Sequence, residues 1–183
     1  VGHAINDLVL QHGPVAMQYG SGQGVPELRE QIAEVMRLEG IEAHPDDVVV
    51  TVGSQQAVDL VTRIFCDPGD VVICEAPSYV GALGVFRAYQ AEVVHAEMDA
   101  HGLVPEALEQ AIAATKRAGR RIKFLYTIPN FHNPAGVTMS LERRSRVLEI
   151  CRREGVLVLE DNPYGLLGFD QEPLRAMRAD DAD

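Results

Sequence analysis

The chain has 183 residues, of which 46% are hydrophobic and 23% are charged, proportions typical of a globular domain with a buried core. Its formal net charge of -11 argues against a nucleic-acid-binding surface, because such surfaces neutralise phosphates with Lys and Arg. The sequence has no apolar run of about 18 residues and no basic N-terminus followed by an apolar core, so neither a membrane span nor a signal peptide is predicted.

The first 45 residues are predicted to form a connecting segment and a first helix. Pro26 stands in the first turn, where a helix tolerates proline, and Gly40 is typical of a residue just beyond a helix end. We expect the apolar face between them to point inward. The side chains of that face are Leu28, Ile32, Val35 and Met36.

Residues 46–183 are predicted to form one α/β domain. Short β-branched runs alternate with longer helical patterns, which is typical of a mostly parallel sheet with helices on both faces. Several of the runs are apolar without alternation, as expected for strands that are covered on both sides. The predicted strands are residues 48–52, 71–74, 92–96, 123–127 and 156–160.

Three helices are predicted between these strands. The first begins at a Ser54 cap and runs to Phe65, the second runs from near Pro105 to near Gly119, and the third begins at a Ser140 cap. In the third helix, the side chains predicted to face inward are Leu141, Val147, Leu148 and Cys151. Those predicted mostly to face the solvent are Arg143, Arg144, Arg146, Arg152 and Arg153.

The three cysteines, Cys66, Cys74 and Cys151, lie in apolar runs and have no CxxC spacing. Buried free thiols are the commoner state of such cysteines, and they suit a reducing compartment. The sequence therefore predicts a cytoplasmic protein, and no metal site is expected.

A turn between a predicted strand and a predicted helix is the first candidate for ligand binding. At residues 51–56, T-V-G-S-Q-Q, the chain passes through Gly53 and Ser54 directly into the helix. Backbone N–H groups and the positive end of the helix dipole meet there, which favours a phosphate. A P-loop needs a lysine that is missing after Gly53, and residues 20–24, G-S-G-Q-G, lack the dinucleotide-binding spacing. We therefore expect a different phosphate ligand.

Four further groups accompany this turn: Tyr19, P-S-Y at 77–79, N-P-A-G at 133–136 and E-D-N-P-Y at 160–164. The last three follow predicted strands, and the carboxyl ends of parallel strands form the ligand crevice of such sheets. Each group also has an ordinary structural explanation, such as an Asn-Pro turn or an Asp cap. Their convergence on one edge is what favours a binding site.

With these groups in this order between residues 19 and 164, the chain resembles the fold-type I pyridoxal-phosphate (PLP) enzymes, the class I and II aminotransferases. It is most similar to the 2-aminoadipate, kynurenine and aromatic aminotransferases and to the related domain of MocR-type regulators. The supporting motifs are G-S-Q-Q-A at 53–57, P-S-Y, T-I-P-N-F-H-N-P-A-G-V-T-M at 127–139 and E-D-N-P-Y. The resemblance implies the large domain of a PLP-dependent transferase.

The resemblance also implies how the cofactor is held. Ser54, Gln55 and Gln56 would bind its phosphate, and the ring of Tyr79 would stack on the pyridine. Asp161 would pair with the protonated pyridine nitrogen. That pairing keeps the ring cationic, so that it can absorb carbanion charge from the substrate.

Further roles concern the catalytic side chains and the subunit structure. By resemblance, Asn133 and Tyr164 would hydrogen-bond the phenolic oxygen of the cofactor, so that Asp161 and Tyr164 are the catalytic residues expected in this chain. Tyr19 resembles a tyrosine that reaches a phosphate in the neighbouring subunit, which implies a homodimer with shared active sites. His132, although it lies beside Asn133, is given no role.

The implied activity is transamination of an amino acid with a 2-oxo acid. A PLP-dependent lyase or decarboxylase, a MocR-type effector domain and a non-catalytic phosphate-binding module stay open as alternatives. The lysine that binds the cofactor covalently in this family should lie several tens of residues beyond Tyr164, and neither Lys116 nor Lys123 matches it. The resemblance therefore implies a fragment of the large domain that lacks this lysine and the C-terminal small domain.

Two structural expectations also follow from the resemblance. The Asn133-Pro134 peptide bond is expected to be cis, with Ala76-Pro77 as a second candidate. Two family strands that follow Asp161 are expected to insert between residues 48–52 and 123–127. Those two segments should then have unpaired edges, separated by a gap two strands wide.

Overall fold

Helices and strands alternate along the chain from residue 53 onward. The computed structural model describes residues 1–20, 22–168 and 174–181, so Ser21 of the glycine-rich connection and the last two residues of the predicted domain lie outside it. The helices are α1 (Gly2–Ala16), α2 (Pro26–Leu38), α3 (Gly53–Phe65), α4 (Val80–Ala88), α5 (Pro105–Arg117) and α6 (Leu141–Glu154). The strands are β1 (Val71–Ala76), β2 (Glu92–Asp99), β3 (Gly102–Leu103), β4 (Ile122–Thr127) and β5 (Leu157–Glu160). Short 3-10 helices cover Pro45–Asp47 and Met177–Asp180.

The strands form one sheet in the order β3-β2-β1-β4-β5. Strand β1 is parallel to β2 and to β4, and β4 is parallel to β5. The two-residue β3 runs antiparallel to β2. The carboxyl ends of the four parallel strands therefore lie along one side of the sheet, which we call the carboxyl edge, and their amino ends lie along the opposite side, the amino edge. The predicted mostly parallel sheet is confirmed.

Helices cover both faces of this sheet and divide the core into two layers. On one face, Val71 and Ile73 of β1 pack with Leu125 of β4 against α5 and α6. On the other face, Val72 and Cys74 pack against α3 and α4. Residues 71–74 of β1 are all buried, which explains why their sequence is apolar without alternation. The three cysteines are free and buried, as predicted.

The predicted strand at 48–52 is wrong. This segment is extended and follows the Pro45–Asp47 turn, but the described residues give it no place in the sheet. Val50 N instead donates a hydrogen bond to Gln23 O at 2.8 Å, and Val52 is 88% exposed. A β-branched run favours extended backbone, but a strand also needs a partner.

The prediction about unpaired strand edges is correct in one part and wrong in another. Residues 48–52 do not pair with β4, as expected. Strand β4, however, has no free edge and no gap beside it, because it pairs with β1 on one side and with β5 on the other. Beyond β4, the edge of the sheet within the described residues is β5, whose Leu157 is 56% exposed.

The helices predicted from the sequence are present as α2, α3, α5 and α6. Helices α1 and α4 were not predicted. No residue of α1 is buried, and its backbone is interrupted at His12. The sequence therefore has no stripe of buried apolar residues from which this helix could be predicted. Helix α4 has nine residues, and Gly81 and Gly84 lower its helix propensity. No described helix is both long enough and apolar enough to cross a membrane.

The buried side of α2 differs from the predicted one, whereas that of α6 differs only in part, because Val147, Leu148 and Cys151 are buried as predicted. In α2 the buried residues are Arg29 and Ala33, whereas Val35 is 48% exposed. Arg29 is drawn inward because its guanidinium donates to Pro45 O at 3.0 Å and pairs with an aspartate of the same turn. In α6, Arg144 is fully buried rather than solvent-facing, and Leu141 is half exposed rather than inward.

Candidate functional site

The first turn of α3 presents backbone N–H groups to the solvent. The helix begins at Gly53, with Val52 as the N-cap, and no side chain caps it, so the predicted Ser54 cap is wrong. Gly53 has a positive φ of 74°, which favours glycine and permits the abrupt entry into the helix. Ser54 and Gln56 are exposed in the first turn, and Gln56 Oε1 accepts a hydrogen bond from Val52 N at 2.6 Å. Unpaired first-turn N–H groups are a suitable anion site.

The turn after β1 lies beside this helix start. Gln55 Nε2 donates to Gly81 O at 3.2 Å, which joins the first turns of α3 and α4. Tyr79 is the N-cap of α4, and a Cβ at Gly81 would lie 2.5 Å from Tyr79 Cζ, so only glycine leaves room for this ring. Ser78 Oγ is buried with no hydrogen-bond partner in the described structure. The Ala76-Pro77 bond is cis, as expected.

Asp161 follows β5 directly and is held by β4. Its backbone N–H donates to Thr127 O at 2.9 Å, and Tyr126 Oη donates to its Oδ2 at 2.6 Å. Tyr126 is fully buried in the core layer beneath α3 and α4, and Tyr79 packs against the same layer. The structure therefore brings Asp161 and Tyr79 to one face of the sheet.

Asn133 and Tyr164 line one cavity at the carboxyl edge. The cavity has a volume of about 360 Å³, and apolar side chains, including Phe131 and Leu167, form much of its wall. The Asn133-Pro134 bond is cis, as expected. A cavity of about 400 Å³ near the starts of α5 and α6 contains none of the predicted site residues.

The remaining predicted site residue and the two lysines lie apart from these groups. Tyr19 is fully exposed. Lys116 Nζ donates to Glu154 Oε2 at 2.8 Å on the surface. Lys123 Nζ lies 3.1 Å from Asp70 Oδ2, before the start of β1 and thus at the amino edge of the sheet. These ion pairs agree with the expectation that neither lysine serves the site.

The family described as Aminotransferase class I and II matches residues 1–183. The chain belongs to this family. The resemblance inferred from the motifs is thereby confirmed. The chain is 39% identical over 180 residues to aromatic-amino-acid aminotransferase 1 of Thermococcus litoralis, a match that covers 98% of the chain and 43% of that relative.

Two solved aminotransferases show the same fold. The kynurenine aminotransferase of Pyrococcus horikoshii, in complex with PMP, matches with a TM-score of 0.91 and 37% identity over 98% of this chain and 44% of that one. The α-aminoadipate aminotransferase of Thermus thermophilus, in complex with N-(5'-phosphopyridoxyl)-L-leucine, matches with a TM-score of 0.85 and 35% identity over 99% and 44%. The predicted PLP-dependent transferase fold is confirmed. The chain spans less than half the length of these relatives.

The chemistry of this candidate site suits a phosphorylated aromatic cofactor. The uncapped first turn of α3 provides donors for a phosphate. The ring of Tyr79, held beside Gly81, provides a flat apolar surface. Asp161 provides a carboxylate, of which Tyr126 occupies one oxygen and leaves Oδ1 for a second donor.

The motif-based reasoning missed Tyr126, and it gave no role to His132. His132 is buried, and its Nε2 lies 3.0 Å from Oε2 of the equally buried Glu75, an ion-pair distance without hydrogen-bond alignment. Glu75 also accepts from Thr127 Oγ1 at 2.8 Å and from Ile128 N at 2.9 Å. Glu75 and Tyr126 are polar residues within apolar strands. Because buried polar groups need partners, this position in the sequence could have indicated that they form contacts near the site.

A buried arginine holds the loops of the candidate site in place. Arg144 Nε donates to Met139 O at 2.9 Å, and its terminal nitrogens donate to Pro129 O at 3.1 Å, Asn130 Oδ1 at 2.6 Å and Arg175 O at 2.7 Å. Burial lowers the pKa of Arg144, although nearby acids oppose this effect. One side chain therefore fastens three loop segments to α6.

The same contacts extend to the residue after Asp161. Asn130 Nδ2 donates to Asn162 Oδ1 at 2.9 Å, and Asn162 Nδ2 donates to Glu39 Oε1 at 2.6 Å. Burial raises the pKa of Glu39, the hydrogen bond from Asn162 lowers it, and the net shift is upward. This chain of amides connects the end of α2 to the loop that carries Asp161.

Proposed function

We propose that the chain is the cofactor-binding part of a PLP-dependent aminotransferase, which transfers an amino group between an amino acid and a 2-oxo acid. The observation that carries the proposal is the arrangement on one face of the sheet of an uncapped helix start, an aromatic ring and an aspartate. When bound, PLP supplies an electron sink for the negative charge that forms at the substrate Cα.

The phosphate would be held by the first turn of α3. Backbone N–H groups of Ser54, Gln55 and Gln56 donate to it, together with the Ser54 hydroxyl. The Gln55 amide is already engaged with Gly81 O, so this side chain contributes by joining α3 to α4. Tyr79 would then stack on the pyridine ring beside that junction.

Asp161 and Tyr164 would act on the electronic state of the cofactor. The Asp161 anion keeps a proton on the pyridine nitrogen. Tyr164 and Asn133, which line one cavity, would donate hydrogen bonds to the phenolic oxygen from the hydroxyl and the amide. These donors favour negative charge on that oxygen and hold the ring at a fixed angle.

Tyr19 would serve a second subunit. Its side chain is fully exposed, so it is available to reach a phosphate across a dimer interface. We propose a cytoplasmic homodimer with shared sites. We further propose that residues 1–45, which contain α1 and α2, form an N-terminal connecting segment, and that residues 46–183 belong to a large domain completed by later residues, including the lysine that would bind the cofactor.

Reconstitution of the full-length protein with PLP tests the proposal. We expect a visible absorbance band, its loss when an amino acid is added without a 2-oxo acid, and its return when a 2-oxo acid follows. The donors to compare are an aromatic amino acid, 2-aminoadipate and alanine. Cofactor binding without amino transfer would contradict the proposal in favour of a regulator, and release of ammonia or carbon dioxide would favour a lyase or a decarboxylase.

A further inference from the structure

The hydroxyl of Tyr126 touches the group on which the proposed chemistry depends. Tyr126 lies in β4 with no exposed surface, and its ring packs edge-on against Phe86 with centroids 5.5 Å apart. Its Oη lies 2.6 Å from Asp161 Oδ2. The ring is therefore fixed by the core, and the hydroxyl is fixed by the aspartate.

The direction of this hydrogen bond follows from the surroundings. Burial, reinforced by the bond to Asp161 and by the charge of that carboxylate, raises the pKa of Tyr126 far above its ordinary value. The phenol therefore keeps its proton and donates a hydrogen bond, which the Asp161 carboxylate accepts. Hydrogen bonds from a neutral donor to a charged acceptor are stronger than neutral pairs.

We propose that Tyr126 is a positioning residue of the cofactor site, which holds Asp161 as an oriented anion and thereby keeps the proton on the pyridine nitrogen. The inference rests on the proposed function above. It adds a residue near the end of a core strand to a site otherwise formed by residues in turns and at helix starts.

The strength of the electron sink depends on where one proton resides. A carboxylate that faces a protonated pyridine can take the proton, which leaves two neutral groups and a weaker electron sink. A hydrogen bond from Tyr126 stabilises the carboxylate and not the carboxylic acid, so it opposes this transfer. The bond also occupies Oδ2 and leaves Oδ1 for the pyridine nitrogen.

The test uses the full-length protein loaded with PLP labelled with nitrogen-15 in the pyridine ring. In the Tyr126→Phe variant, we expect the nitrogen resonance to move from the protonated towards the neutral position. We also expect kcat to fall roughly tenfold, the scale of one lost hydrogen bond to a charged group, with little change in the KM of the amino donor. A resonance and a kcat equal to those of the unsubstituted protein would overturn the inference.

Two control variants separate the hydroxyl from general damage. Tyr89→Phe removes another tyrosine hydroxyl that interacts with an aspartate, Asp59 of α3, and it should leave both readouts unchanged. Phe86→Leu loosens the packing of the Tyr126 ring but keeps its hydroxyl. If Phe86→Leu moved the nitrogen resonance as far as Tyr126→Phe does, packing would be the cause and the inference would be wrong.

A measurement on the unsubstituted protein avoids reliance on the folding of a variant. With ring-labelled tyrosine, the hydroxyl proton of Tyr126 should resonate far downfield, as expected for a short hydrogen bond to a carboxylate. A proton in the ordinary phenol range would contradict the inference. If the unsubstituted protein failed to bind PLP or to transfer an amino group, the proposed function would fail instead, so the two failures are distinguishable.

Discussion

Each edge of the sheet has an aspartate, buried at the amino edge and half-buried at the carboxyl edge, and the two aspartates have different kinds of partner. At the amino edge, Asp70 is neutralised within the chain, because Arg121 Nε lies 2.9 Å and Lys123 Nζ 3.1 Å from its carboxylate. At the carboxyl edge, Asp161 receives a neutral hydroxyl, and the described residues offer it no cation. The α3 start and Ser78 Oγ nearby also have unused hydrogen-bonding capacity. At the amino edge, the charge of the aspartate is balanced within the chain. At the carboxyl edge, hydrogen-bond donors and a carboxylate are available to a charged ligand.

The largest expected effect comes from removing the charge at the carboxyl edge. In the full-length protein, Asp161→Asn should lower kcat/KM for amino transfer by at least about 100-fold, because the pyridine nitrogen loses its anionic partner. The folded structure should survive, since an asparagine oxygen can still accept from Tyr126. Steady-state kinetics and thermal unfolding measure the two effects.

Asp99→Asn is the matched control for this prediction. Asp99 ends β2 and pairs with Arg143 on the surface, so its neutralisation should leave amino transfer unchanged. Equal losses in the two variants, or full activity of Asp161→Asn, would contradict the assigned role of Asp161.

The second effect concerns stability near the site. Arg144→Met should lower the free energy of unfolding by about 3 kcal/mol, because it leaves four acceptors, three of them buried, without their donor. Arg146→Met, on the same helix, should cost less than about 1 kcal/mol, because Arg146 is half exposed and forms a surface pair with Glu106. Urea unfolding compares the two. A loss for Arg144→Met no larger than for Arg146→Met would show that the buried contacts add little.

The sequence predicted the placement of the candidate site residues better than it predicted their supporting contacts. Motifs located Ser54, Tyr79, Asn133 and Asp161 because these residues follow strands or begin helices, and strand ends in a parallel sheet share one edge. The burial of Arg144 could not be predicted. Its acceptors lie in loops up to 31 residues away, and helical periodicity gives no information about them.

The fold shows the same division between local and long-range information. Four of the five predicted strands are present, because apolar β-branched runs suit a covered sheet. Residues 48–52 have the same composition but no described strand beside them. Strand pairing depends on distant residues, so composition alone could not distinguish this segment from the others.

The third prediction concerns PLP affinity and the phosphate donors at the start of α3. Ser54→Pro removes one backbone N–H from the first turn, a position where a helix tolerates proline. PLP affinity should fall roughly tenfold, or about 1.4 kcal/mol. Ser54→Ala removes the hydroxyl and keeps the N–H, so it should weaken binding less. Titration with PLP gives both affinities, and identical values for the two variants would argue against the backbone donor.

The smallest expected effect concerns the contribution of Asp70, at the amino edge, to the free energy of unfolding. Burial alone would raise the pKa of Asp70, but the hydrogen bond from Asp67 N and the charges of Lys123 and Arg121 lower it below the ordinary value of 3.8. The folded state therefore binds this proton more weakly than the unfolded chain. The stabilisation is complete above pH 3.8 and is lost as the pH falls through the lower folded-state value.

Asp70→Asn should accordingly cost about 1 kcal/mol at neutral pH, and the difference should shrink in acid. Urea unfolding of both proteins between pH 7 and about pH 3 measures it. A constant difference over that range would mean that packing, rather than charge, makes Asp70 important.

A crystal structure of the full-length protein with PLP tests the central claim most directly. We expect the phosphate within hydrogen-bond distance of the backbone N–H groups of Ser54–Gln56, the ring against Tyr79, and the pyridine nitrogen beside Asp161 Oδ1. Cofactor bound at another place, or a phosphate at α3 with the ring turned away from Asp161, would contradict the assignment of the carboxyl edge as the cofactor site.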